Sequence, residues 1–242
     1  DMNPTNRNNI KRLICIFVVP LIFFMSSHDV FARAGGGGGA GGGKGFLYTV
    51  IMLVLLPFAI VYVTVLFCWI TKKNRESKAL LEQLSKKDKV WDSRYIKNRI
   101  ETVFLKVQEA WIKRDQMIAK DYISQSLFDK HKLQTDIMIS NHEKNVLERI
   151  NLEEARVVEV MDYLDDSKDQ IWVYMKGSMM DYIVDDRTDQ VKYAKPDKPS
   201  HFFELWKFVR ANNTWVLDEI DQTVSISDIS HLKSFSEKPL NE

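Results

Sequence analysis

Cysteine is nearly absent. The 242 residues hold only Cys15 and Cys68, both inside apolar runs. That excludes a disulfide scaffold and leaves the polar remainder no thiol for a zinc knuckle, a redox pair or a nucleophile. Glycine is as scarce where a folded domain would use it: nine of the ten lie between Gly35 and Gly45, and only Gly177 follows. Neither sign of charge predominates, with 34 Lys+Arg against 33 Asp+Glu and a formal net charge of +1, so the chain as a whole is no nucleic-acid binder. Ligand spacing is missing too. His142-Glu143 opens like a zinc-protease helix, but Val146 stands where the second histidine belongs, and no pair among His131, His142, His201 and His231 is closely spaced. No metal, no cofactor and no catalytic residue is expected.

Two apolar runs precede residue 71. The first, 13–25, follows a polar segment carrying Arg7, Lys11 and Arg12 and leads to Ala32-Arg33-Ala34, small residues at the two positions a signal peptidase reads. It is shorter than the roughly 20 residues that span a bilayer, so 1–34 is expected to be a signal peptide, cleaved after Ala34. Retained, it would be a first anchor. The second run, 46–70, carries no charge and is expected to be a transmembrane helix, kinked at Pro57, with Tyr48, Tyr62 and Trp69 as interfacial anchors. Residues 35–45 imitate a phosphate loop, but Gly45 replaces the Ser or Thr that would ligate magnesium, leaving a glycine-rich spacer.

The charge divides sharply after the second run. Residues 71–101 carry +5, whereas 102–242 carry −7. Lys72, Lys73, Arg75 and Lys78 crowd the C-terminal side of the helix, and only Lys44 is basic in the spacer before it, so the positive-inside rule puts the large remainder in the cytoplasm. Residues 71–91 read as a basic juxtamembrane stalk. Lys72, Lys73, Arg75, Lys78, Lys86, Lys87 and Lys89 are expected to contact anionic lipid, at about 1 kcal/mol per cation near the surface. The bland alternative is that they only enforce topology. Leu80, Leu81 and Leu84 form a short strip suited to a brief amphipathic helix or a partner-helix contact.

Residues 92–224 read as a folded domain, with 225–242 as a C-terminal tail. Ile96, Ile100, Val103, Phe104, Val107 and Trp111 mark one face of a helix, capped near Ser93. Met117, Ile118, Tyr122 and Ile123 suggest a second. Ser124 or Ser126 begins a third, running through Leu127, Phe128, His131 and Leu133 to Ile137, Met138 and Val146. The period then changes, and residues 155–163, 170–184, 201–210 and 214–222 read as strands. Asp165-Asp166-Ser167-Lys168-Asp169 marks one turn, and Ala211-Asn212-Asn213 marks a tight hairpin. The expected fold class is α+β: N-terminal helices packed on a curved four-stranded antiparallel sheet, preceded by one transmembrane helix.

The segment Phe104 … Val107-Gln108-Glu109-Ala110-Trp111 … Arg114-Asp115, followed by Tyr122-Ile123-Ser124 … Leu127-Phe128, resembles the opening helices of the Tim44-like domain family. Trp172-Val173 … Gly177-Ser178, the run Phe203-Glu204-Leu205-Trp206-Lys207-Phe208-Val209-Arg210, and Trp215-Val216-Leu217-Asp218-Glu219-Ile220 resemble its closing strands. The resemblance implies a cone-shaped, cystatin-like or nuclear-transport-factor-two-like fold, with an apolar pocket between sheet and helices. Signal peptide, glycine-rich tract, one membrane helix and this domain together resemble bacterial members, implying a bacterial plasma (inner) membrane protein. The mitochondrial translocase subunit differs, having a long chaperone-binding N-terminal region and no spanning helix.

Pocket or groove candidates are Trp111, Trp172, Phe202, Trp206, Phe208 and Trp215, rings that at strand alternation are first of all core. Phe202, Trp206 and Phe208 fall on one strand face, and Phe203, Leu205 and Val209 on the other. The expected function is a membrane-tethered, non-enzymatic module holding a protein segment or lipid, linked to translocation or membrane-complex assembly. Its partner is not identified and its oligomeric state is open. The alternative is a small-molecule-binding or enzymatic cone domain, with Asp181, Tyr182 or His201 as acid or base. A third reading is an assembly subunit, by analogy with the family's ribosomal relatives. A carbon-lined pocket would favour the first reading, and a buried carboxylate beside a tyrosine the second.

Overall fold

The structure, a computed structural model, describes residues 42–192 and 195–237, with side chains from Ile51 onward. The expected signal peptide, spacer residues 35–41 and tail residues 238–242 lie outside the described residues.

Helix α1 (Gly42–Leu84) begins inside the expected spacer and runs through Pro57. Its portion Ile51–Leu84 is long and apolar enough to cross a membrane, with a mean hydropathy of 2.7 in its most apolar window and almost none of that window buried. Leu53, Phe58 and Val61 are exposed. The chain divides into two compact units after Cys68, and the rest of α1 belongs to the second. Leu81 and Leu84, from the short strip read as an amphipathic helix or a partner-helix contact, are buried in the core of that second unit, with Leu80 packed against it.

A 3-10 turn, Lys89–Trp91, leads into α2 (Ser93–Lys113). The cap is Asp92 rather than Ser93: its carboxylate accepts the N–H groups of Arg94 and Tyr95 at 2.9 and 3.0 Å. An ionised cap also suits the positive end of the helix dipole. Ile96, Ile100, Val103, Phe104 and Val107 form the expected buried stripe. The helix ends on Arg114 in the left-handed region, φ 52°. Its guanidinium donates to the Glu143 carbonyl and to Asp186, at 3.0 and 2.7 Å, which holds this strained stop in place. The expected second helix is only a 3-10 turn, Gln116–Ala119.

Helix α3 (Gln125–Ser140) is capped by Ser124 and stops six residues before Val146, which lies in strand β1 (Glu143–Asp162). Ile137, Met138 and Val146 fit either period. His142, at φ 52°, ends the helical run, and Val146 then pairs with Tyr182. The remaining strands are β2 (Gln170–Asp185), β3 (Ser200–Ala211) and β4 (Thr214–Asp221), each antiparallel to its neighbour. Asn212 and Asn213, at φ 49° and 59°, make the two-residue hairpin between β3 and β4. Three register shifts between β1 and β2 mark bulges, which sharpen local twist and bend the sheet.

The sheet has five strands rather than four and is mixed, in the order β4-β3-β2-β1-β5. Residues after 224 form helix α4 (Ile226–His231) and the short strand β5 (Phe235–Ser236), parallel to β1. Two residues of strand carry no readable period, so pattern alone could not reveal them. Beside β5, the last turns of α1 and the α4–β5 link cover the remaining edge of β1. Asn74 donates to the Val157 carbonyl at 2.8 Å, and Ser234 Oγ accepts the Val160 N–H at 3.1 Å. These bonds blunt an edge that would otherwise template strand addition.

Candidate functional site

The inward face of β2 reads Ile171, Val173, Met175, Gly177, Met179 and Asp181, by simple alternation. Phe208, Trp206, Glu204 and Phe202 follow the same face of β3 in the opposite direction. At one end this face is sealed. Val160, Ile171, Phe208 and Leu217 lie side by side across four strands without exposed surface. Trp91 packs edge-on to Trp215 at 4.9 Å, and Trp215 Nε1 donates to the Val90 carbonyl at 3.0 Å.

At the other end α2 and α3 leave the sheet uncovered, forming a cavity of about 480 Å³. Val107, Gln108 and Trp111 on α2 and Lys130, His131 and Gln134 on α3 make one wall. Asn145, Leu147, Asp181, Phe202, Glu204 and Trp206 are among the strand residues of the other. Gly177 lies beneath Phe202, one of the wall residues. A Cβ there would collide with the Phe202 ring and lie 2.6 Å from the Asn151 carbonyl oxygen, so the single glycine of the domain makes room for Phe202 over the strand.

The lining is polar as well as aromatic, not the apolar pocket that the resemblance implied. Among the described residues no tyrosine stands in it beside a carboxylate, so neither lining expected to separate the readings is present. Desolvation raises the Glu204 pKa above the ordinary glutamate value, opposed by a hydrogen bond from Trp206 Nε1 at 2.7 Å and another with Gln222. Asp181 keeps solvent access at the mouth, but the surrounding wall desolvates its carboxyl and raises its pKa, with Asn145 opposing. His131 is 5% exposed and its ring stands 5.1 Å from Trp111. Burial, helped by the charge on Lys130, lowers its pKa from 6.5 to about 4, so it is neutral at pH 7. Neither His131 Nδ1 nor Asn145 Oδ1 finds a hydrogen-bond partner among the described residues.

Of the six aromatic candidates, the cavity gathers Trp111, Phe202 and Trp206. Phe208 and Trp215 belong to the sealed core, and Trp172 lies half-buried in β2 between Glu159 and Lys207, outside the lining. The acid/base candidates do not converge. Asp181 lines the cavity, but Tyr182 donates to Glu148 at 2.5 Å and His201 pairs with Glu153 at 3.1 Å, both outside the lining. No three His, Cys, Asp or Glu side chains among the described residues are placed to hold a metal ion. Glu204 and His131 were missed in the sequence, although each left a signal: Glu204 interrupts the alternating row Phe202, Trp206, Phe208, and His131 sits one turn after Leu127 on the buried stripe of α3.

Among the candidates for lipid contact, Lys72, Arg75, Lys78, Lys86, Lys87 and Lys89 are exposed. Lys73 is not. It is 7% exposed and its ammonium donates to the Leu232 carbonyl at 2.5 Å, so the fold spends this cation on tying α1 to the end of α4.

The profile of the Tim44-like domain matches residues 77–222. No curated protein matches the chain. Among solved structures, the crystal structure of the intermembrane space region of the chloroplast protein ARC6 is similar at 10% identity and a TM-score of 0.40, covering 55% of this chain and 98% of that one. The family profile covers more than half of the chain, and this chain belongs to the Tim44-like domain family.

Proposed function

We propose that this chain is a single-pass, non-enzymatic binding module of a bacterial plasma membrane, whose domain faces the cytoplasm and holds a segment of a protein partner. One observation carries the reading: a domain of this family keeps an open cavity of about 480 Å³ between helices and sheet, walled by Trp111, Phe202 and Trp206. Open concavities with aromatic walls and a few convergent polar groups suit ligand capture. The apolar portion of α1 supports the tether, and the cations that follow it support the orientation. The exposed cations from Lys72 to Lys89 suit an anionic leaflet, without Lys73. The family's tie to translocation or complex assembly is the setting this reading favours.

The test is photo-crosslinking in intact membranes from Gln222, which lines the cavity, against Lys207, which lies outside the lining. A defined protein adduct from position 222 that is absent at 207 supports the module. Equal labelling at both positions, or none at either, overturns it. Protease added to intact spheroplasts must leave residues 71–242 uncut if the orientation is right. Digestion from outside would refute it. A small-molecule or acid–base role draws on Asp181 and Glu204 alone, since Tyr182 and His201 are engaged elsewhere.

A further inference from the structure

The cavity presents acceptors from four separate elements: Asn145 on β1, Asp181 on β2, Glu204 on β3 and His131 on α3. His131 Nδ1 and Asn145 Oδ1 are buried without a partner among the described residues, and His131 is more than nine-tenths buried. Leaving such an atom desolvated and unpaired costs free energy that a bound donor would recover. The described lining contains one cation, Lys130, against the carboxyl groups of Asp181 and Glu204. Aromatic faces complete the walls.

Acyl chains fit such a lining badly, because the polar groups would be buried unpaired. Anionic headgroups and phosphates would meet two carboxylates. A group that carries N–H donors, a positive charge and an apolar stem suits this lining: the charge and its donors face Asp181 and Glu204 beside His131 and Asn145, and the stem lies along Trp111, Phe202 and Trp206. We propose that the cavity receives an organic cation, the ammonium or guanidinium of a Lys or Arg side chain presented by the partner segment. This rests on the binding-module reading and names the residue type that the module holds.

Neutral His131 belongs to the same design. Lys130 stands next to it in sequence, Trp111 packs on its ring, and a protonated imidazole at this position would repel the incoming charge. The raised pKa values of Asp181 and Glu204 have a linked consequence. A bound cation favours their ionised forms, so binding releases protons and weakens as the pH falls toward the carboxyl range.

The full chain is reconstituted in zwitterionic phosphatidylcholine nanodiscs, with empty nanodiscs as control. Ligand-observed NMR titrations then compare a pentapeptide bearing one central Arg with its Lys, citrulline and norleucine counterparts, and with butylguanidinium as a free cation. The Arg and Lys peptides are expected to bind roughly tenfold tighter than citrulline and norleucine, the factor a single charge-assisted contact supplies. Asp181→Asn and Glu204→Gln should each erode that preference, and the double variant should abolish it. Equal affinity for Arg and citrulline peptides overturns the proposal, as does a preference that survives in the double variant or an absence of any binding.

If the double variant fails to fold by near-ultraviolet circular dichroism, the wild-type protein still decides. Its Arg preference must shrink between pH 7 and pH 4, below the ordinary glutamate value of 4.5, and a constant preference overturns the proposal. Butylguanidinium binding that depends on Glu204, without peptide binding, keeps the cation site but makes a free amine or guanidine its source, and removes the protein-segment reading. Charge-blind peptide binding accompanied by crosslinks from position 222 does the reverse.

Discussion

The two ends of the sheet's inward face use the same strands and the same alternation, yet one is dry and the other wet. Val160, Ile171, Phe208 and Leu217 are closed off from solvent. Further along the same strands, four residues from Phe208, ten from Ile171 and fifteen from Val160, Glu204, Asp181 and Asn145 face an open cavity. The difference lies in the cover. The stripe of α2 from Ile96 to Val107 seals the core, whereas Gln108 and Trp111 at its end, with His131 and Gln134 of α3, stand as a wall beside the sheet. A β-sheet therefore does not decide by its own pattern which part becomes core and which becomes site. The helices decide it, by where they stop.

The sealed end should be the more fragile. Arg210 there binds Asp88 at 2.6 Å and the wholly buried Asp169 at 3.2 Å, with Asp166 at 3.3 Å. Arg210→Ala would leave Asp169 buried without its counter-charge and should lower stability by about 3–5 kcal/mol, read by denaturant melts of the detergent-solubilised chain. A loss under 1 kcal/mol would mean that the cluster is solvated and the contrast between the two ends is weaker than described.

Where the two regions meet, Gly177→Ala should destabilise by about 1–3 kcal/mol, because the new methyl meets backbone as well as the Phe202 ring. Phe202→Ala on that background should recover part of the loss. Absence of any recovery would show that the Asn151 carbonyl, not the pocket wall, is the tighter neighbour.

The open end should show its character in acid. His131 has a pKa lowered from 6.5 to about 4, so the folded state binds fewer protons than the unfolded one between those values. Its contribution is complete above about pH 6.5 and is lost as the pH falls toward 4. Relative to His131→Leu, the wild type should lose roughly 2 kcal/mol across that window, after allowing for screening at the cavity mouth. Parallel pH profiles for the two proteins would show that His131 is not buried neutral.

The smallest effect has the opposite sign. Glu204 has its pKa raised by desolvation, so the folded state holds this proton more tightly than the unfolded state does. At pH 7 the ionised group therefore works against folding, a penalty that disappears below its ordinary pKa of 4.5. Glu204→Gln keeps an acceptor for Trp206 Nε1 and should raise stability at pH 7 by up to about 1 kcal/mol while weakening cation binding. Lower stability in the variant would identify Glu204 as a structural group instead of a site carboxylate.

The α2 stripe, the asparagine hairpin and the strand-rich second half were legible in the sequence because each is a local pattern. The Asp92 cap was off by one residue, since Asp92 and Ser93 both fit a cap and only the backbone N–H directions separate them. Strand β5 was not legible, for its two residues owe their conformation to β1. Three site aromatics could be named, but not separated from Phe208 and Trp215, because a Trp or Phe at an alternating position reads the same under a helix as beside a cavity. Lys73 looked like its neighbours and differs from them because the Leu232 carbonyl, 159 residues away, accepts a hydrogen bond from its ammonium.

Sequence by itself determined the long uncharged helix, the charge reversal after it, the helices-then-strands order and the family, because each depends on composition or on periods of two and 3.6 residues. Tertiary structure alone decided the extra strand, the burial of Lys73, and the meeting of Asp181, Glu204, Asn145 and His131 around one cavity. Those depend on which surfaces touch across long stretches of chain, and the resulting loss of water, rather than the residue type, is what shifts the pKa values of ordinary carboxylates and a histidine in a candidate site.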